Sequence, residues 1–217
     1  MDSIRDDLEA IAEGIRQDFS GKDSAREKGL SLCRETIRHS SDAIRSLHRQ
    51  EYELAGRTLS SAGSRLDEVN HILGDHPDLL HSGFVHDAQK EFAEGSITLA
   101  LVTGNPLPAP ASLGVSPAAY LNGLGEAVGE LRRYLLDSMR KGELAPCDRL
   151  LEAMDDIYGM LVTIDFPDAM TKGLRRTTDA VRGILEKTRG ELTMALRQRD
   201  LEKRLASFEE RASSGKM

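Results

Sequence analysis

Glu91 and Glu94 stand three residues apart, and Glu126 and Glu130 four apart; of all the side chains in this sequence these are the best arranged to do chemistry. In an α-helix either spacing places both carboxylates on one face, one above the other. Apolar residues surround each pair: Phe92, Ala93, Ile97, Leu99, Leu101 and Val102 beside the first, Leu121, Leu124, Ala127, Val128 and Leu131 beside the second. Two such helices packed together bring four acids to one place. Four buried carboxylates cannot all stay ionised without a counter-charge. A hard divalent cation such as Mg²⁺ or Mn²⁺ suits an all-oxygen set, and the chemistry it supports is metal-dependent phosphodiester hydrolysis.

The plainer alternative is a pair of solvated helix faces, the usual place for glutamate. The glycines argue against it. Gly95 directly follows Glu94, and Gly123, Gly125 and Gly129 crowd the second helix, where each costs up to about 1 kcal/mol relative to alanine. Gly125 and Gly129 share a face, which predicts a close neighbour there.

The elements that must hold these acids all read as helix. Ile4, Leu8, Ile11 and Ile15 form one amphipathic stripe, with a break expected at Gly21. A second helix runs to about residue 50 on a seam of Leu30, Cys33, Ile37, Ser40, Ile44 and Leu47. A third covers residues 51–73 and stops at Gly74-Asp75-His76-Pro77. The first glutamate pair lies on a fourth helix, about 78–103. A proline-rich loop over 104–117 follows, then Ser116 as N-cap with Pro117 at the first helical position. That helix, reaching about residue 141, carries the second pair. Leu150, Met154, Ile157 and Leu161 mark the next, and a last helix spans about 169–206 with a bend expected at Gly183 or Gly190. No segment alternates as a strand does. The reading is a single all-α domain, a bundle of about seven helices over residues 1–212, with a disordered tail over 213–217.

Composition narrows the function classes. A net charge of −7 across 217 residues argues against a protein that coats nucleic acid with general basicity, while leaving room for a local basic strip. Arg34, Arg38, Arg45 and Arg49 fall within roughly a 60° sector of one helix and are candidates to track phosphates; a solvated face is the alternative. Arg175, Arg182 and Arg189, at intervals of seven, pose the same choice or could serve inter-subunit ion pairs. His86 and Lys90 precede the acids on their helix and are candidates to guide a strand toward them. The six histidines otherwise lie off the acidic faces or near turns. Aromatic residues make up only 4% of the chain, so any nucleic-acid binding should rest on backbone charge rather than base stacking, with little sequence preference. One Glu-x-x-His, Glu68 to His71, falls short of the two that a di-iron bundle requires. Cys33 and Cys147 make no metal motif and suit a reducing compartment. No apolar run reaches membrane-spanning length and the start is acidic; a cytoplasmic protein with no membrane association is expected.

The run Tyr120-Leu121-Asn122-Gly123-Leu124-Gly125-Glu126-Ala127-Val128-Gly129-Glu130-Leu131-Arg132-Arg133 resembles the signature of the translin superfamily. The segment from Gln89 to Gly95 is similar to the corresponding helix of translin-associated factor X, the catalytic branch, and the likeness extends over nearly the whole chain. The resemblance implies an all-α translin-like fold and a hollow homo-oligomer, an octamer. It implies Mg²⁺-dependent cleavage of single-stranded RNA, with Glu91, Glu94, Glu126 and Glu130 as metal ligands and catalytic residues. One position departs: the catalytic branch has Asp where this chain has Glu126. The extra methylene shifts a bound ion or recruits a bridging water, and leaves the metal count open. Glu126 is the candidate general base. The rival expectation is a non-catalytic translin-like protein that binds single-stranded RNA or DNA; a purely structural scaffold is a third.

Overall fold

The computed structural model describes residues 2–213, and nearly all of them are helical. Among these residues there is no strand. Six long helices form the bundle: α1 (Asp2–His48), α2 (Tyr52–Leu73), α4 (Gly83–Thr103), α6 (Pro117–Arg140), α7 (Cys147–Val162) and α9 (Leu174–Ser213). Three single-turn helices punctuate the connections: α3 (Pro77–Leu80), α5 (Pro110–Leu113) and α8 (Asp168–Thr171). The expected tail begins at Ser213, which is still helical here; its remaining four residues lie outside the described part.

The expected break at Gly21 is absent. α1 continues unbroken across Gly21, and α9 is one continuous helix across Gly183 and Gly190. A helical glycine costs at most about 1 kcal/mol, and strong helix formers flank all three. The real break in the last segment comes earlier. Lys172 and Gly173 both adopt positive φ, 53° and 85°, and separate α8 from α9. Likewise the expected fourth helix is divided: α3 is one turn, and α4 starts anew at Gly83. The helix after the proline-rich loop begins as its sequence predicts, with the Ser116 hydroxyl accepting from the Ala119 amide at 3.3 Å and Pro117 in the first turn.

α4 and α6 pack at the centre, flanked by α1 and α2 on one side and α7 and α9 on the other. Glycines set the spacing. A Cβ at Gly123 would meet the Lys90 carbonyl at 2.7 Å, and one at Gly95 would meet Leu59 at 2.9 Å. At Gly125 it would collide with Thr177 of α9. Gly129, expected to share this role, faces open space. Asn122 then locks the junction: its amide donates to the Thr171 and Ala118 carbonyls, both at 2.9 Å, and its oxygen accepts from the Thr177 hydroxyl at 2.8 Å. Buried polar groups persist only when satisfied in this way. Cys33 and Cys147 are both buried and free.

Candidate metal centre

The close α4–α6 crossing brings the two acidic faces together. Ligand oxygens of Glu91, Glu94 and Glu126 all lie within 4.8 Å of one another. Glu94 is buried, 8% exposed, while Glu91 and Glu126 are partly open. The trio sits in a cavity of about 700 Å³ whose other walls are α1 and α9. Arg45, Arg133 and Arg176 line it as well, as do Glu130 and Thr177.

Glu130 shares the cavity but not the close trio. Its carboxylate accepts from Nε2 of His48, at 2.5 Å. The His48 side chain is 6% exposed, and its Nδ1 is buried without a hydrogen-bond partner. The expectation that the histidines stand clear of the acidic faces therefore fails at His48. It follows Ile44 by four residues, on the seam of α1 that the sequence already marks as buried, and that spacing is the signal that could have found it.

Among the described residues, Lys90 is the cation that pairs with the trio. Its Nζ lies 2.7 Å from Glu126 and 3.7 Å from Glu91. Burial works against the Lys90 charge, but the hydrogen bond and charge of Glu126 outweigh it and raise its pKa. One lysine does not balance three acids. Burial, with the charges of Glu126, Glu91 and Glu130 added, pushes Glu94 up to about 8. Burial also raises Glu91, with Lys90 opposing and Glu126 adding to the rise. Glu130 moves the other way: the His48 hydrogen bond holds it low against the burial that would raise it. A raised pair beside an ion-paired acid is the pattern of a site short of positive charge.

The other sequence candidates scatter. Arg34, Arg38 and Arg45 are exposed on α1 and Arg49 is exposed in the turn just after it; of the four only Arg45, which pairs with Asp42, lines the cavity. His86 lines a neighbouring cavity of about 620 Å³ with His81 and Lys172; burial lowers its pKa, against the pull of Asp87. Arg175, Arg182 and Arg189 pair within the chain, with Asp165, Glu186 and Asp155. Arg133 and Arg176 face the acids and carry more of the cavity's positive charge than the α1 strip does.

No family model matches the chain. An uncharacterized protein of Methanocaldococcus jannaschii is 30% identical over 189 residues, covering 86% of this chain and 83% of that one. Among solved structures, AfC3PO superposes with a TM-score of 0.82 at 33% identity, over 87% of this chain; it is known alone, covered to 98%, and with duplex RNA, covered to 97%. This chain belongs to the translin superfamily. A second translin-superfamily structure, apo-NeC3PO, has a TM-score of 0.77 at 18% identity, covering 85% of this chain and 96% of its own, a likeness of fold. The all-α translin-like fold expected from the sequence is the fold observed. No helix among the described residues is long and apolar enough to cross a membrane.

Proposed function

We propose that this translin-superfamily protein is a Mg²⁺- or Mn²⁺-dependent endoribonuclease that cleaves single-stranded RNA inside a hollow homo-oligomer, an octamer, in the cytoplasm. The observation that carries the reading is the meeting of Glu91, Glu94 and Glu126 within 4.8 Å in a cavity rimmed by arginines. An all-carboxylate set with an excess of negative charge fits a hard divalent ion. Those three residues would hold it, with Glu130 at the margin. When bound, the ion supplies neutralisation of phosphate charge and a lower pKa for the attacking water.

The chain's own groups divide the remaining work. Arg45, Arg133 and Arg176 offer positive charge to the phosphates on either side of the scissile one, so RNA binding should weaken steeply with salt. Glu126, half-exposed and close to Lys90, accepts the proton of the attacking water. Lys90 holds that carboxylate in place and stabilises developing negative charge. The similarity to AfC3PO, solved with duplex RNA, supports RNA as the ligand class and makes a duplex a necessary control substrate.

A second reading is favoured by Lys90 itself. If its ammonium remains between Glu126 and Glu91, the acids are partly neutralised from within, and the protein binds single-stranded RNA or DNA without cutting it. Labelled single-stranded and duplex RNA incubated with and without Mg²⁺ or Mn²⁺ decide the matter. Cleavage that needs the metal and disappears in Glu91→Ala supports the nuclease. Metal-independent cleavage unchanged in Glu91→Ala removes the metal-dependent nuclease, and no cleavage at all beside a salt-sensitive gel shift removes it in favour of the binding protein.

A further inference from the structure

Lys90 leaves its helix at the tightest point of the α4–α6 crossing. Its carbonyl is the atom that a Cβ at Gly123 would strike at 2.7 Å, so the backbone that carries the side chain is held in place. Adjacent residues on a helix do not face each other. The Lys90 ammonium nevertheless comes within 3.7 Å of its neighbour Glu91, as well as 2.7 Å of Glu126 on the opposite helix. The side chain turns back over the acids rather than out to solvent, and only 21% of it is exposed. Ordering a lysine costs rotamer entropy; contact with carboxylates on two helices offsets it.

The same arrangement limits the room for metal. Ligand oxygens of Glu91, Glu94 and Glu126 lie within 4.8 Å of one another. Oxygens on opposite sides of one octahedral Mg²⁺ stand about 4 Å apart, so this set spans a single ion. A second ion, about 3.5–4 Å from the first, would have to draw on Glu91 and Glu126 again or recruit Glu130. Glu130 is engaged by His48 at 2.5 Å. Glu91 and Glu126 are the two carboxylates that the Lys90 ammonium already contacts. The charges agree with the geometry: one divalent ion and one ammonium balance three ionised carboxylates, while a second divalent ion would leave an excess of positive charge.

We propose that Lys90 is the second cation of the site, fixed in the position where a two-metal nuclease holds its second ion, and that each chain takes a single divalent ion. The proposal rests on the metal-dependent reading above and sets its metal count. Mn²⁺ binding to the full-length protein, followed by calorimetry and by the electron paramagnetic resonance of free Mn²⁺, counts ions per chain without reference to cleavage. Expected is one ion per chain for the wild type and for Lys90→Arg, which keeps the cation. Two ions per chain are expected for Lys90→Met and Lys90→Gln, each checked for unchanged helical circular dichroism. Two ions per wild-type chain, or one per chain in whichever neutral variant folds, overturns the proposal and leaves the metal-dependent reading standing. A wild-type chain that binds no Mn²⁺ removes that reading and the proposal with it.

Discussion

At Glu94, burial and three neighbouring carboxylates push in one direction, and only Lys90 opposes them. The folded-state pKa of about 8 stands well above the value near 4.3 of an unfolded glutamate. Between those values the folded protein binds the extra proton, so this group's contribution is fully present below about pH 4 and is lost as pH rises through about 8. Metal-free protein should therefore show a Tm that declines between about pH 5 and 8, and Glu94→Gln should flatten the decline. Mn²⁺ binding should release protons and tighten as pH rises; calorimetry in buffers of different ionisation enthalpy reads both, and proton-neutral binding would count against the trio as ligands. Glu130 contributes with the opposite sign. Its depressed pKa gives stability that is present above the ordinary carboxylate range and is lost as pH falls through the folded value. His48→Ala should cost about 1–3 kcal/mol in urea unfolding, because a half-buried carboxylate loses its partner. It should also weaken Mn²⁺ binding about 10–100-fold if Glu130 supports the ion. Unchanged metal affinity would leave His48 a purely structural residue.

Among the elements, contact decides what each glycine does. Gly21 and Gly125 are both helical, yet a Cβ at Gly21 meets nothing within 4 Å, while at Gly125 it strikes Thr177. Gly21→Ala should accordingly raise stability by up to about 1 kcal/mol. Gly125→Ala should lower it by about 1–3 kcal/mol through overpacking of α6 on α9. Equal effects at the two sites, measured by chemical denaturation, would refute the close crossing. Asn122 belongs to the same junction, where one side chain ties α6 to α8 and α9. Asn122→Leu should cost about 2–4 kcal/mol because it strips buried partners of their hydrogen bonds. The helix periods were legible throughout the sequence, but the supposed break at Gly21 was not real, and α9 continues across Gly183 and Gly190. Interior glycine is a weak helix breaker, and the packed face of α9, with Val181, Leu185 and Leu192 buried, outweighs it. The true break lies in the positive φ values of Lys172 and Gly173, and a lysine in that conformation has no sequence signature.

For the whole molecule, a net charge of −7 conceals a division of charge: residues 2–20 hold six acids against two arginines, while the cavity between α4 and α6 mixes glutamates with arginines. RNA affinity should fall steeply with rising salt, with a slope set by how many of Arg45, Arg133 and Arg176 contact phosphate. Replacing Arg133 and Arg176 with alanine should reduce that slope by about 1–2; an unchanged slope would move the RNA path to the exposed α1 strip. What the sequence by itself determined is the helical class, the acidic pairs and the family signature, because helical period and side-chain spacing are local properties. Only the tertiary structure decided that Glu91, Glu94 and Glu126 meet while Glu130 turns to His48, and that Lys90 sits among the acids rather than facing solvent. Each of those outcomes depends on the depth and rotation of one helix against another. Contacts at Gly95, Gly123 and Gly125 set that depth between residues far apart along the chain, and no spacing within a single helix encodes it.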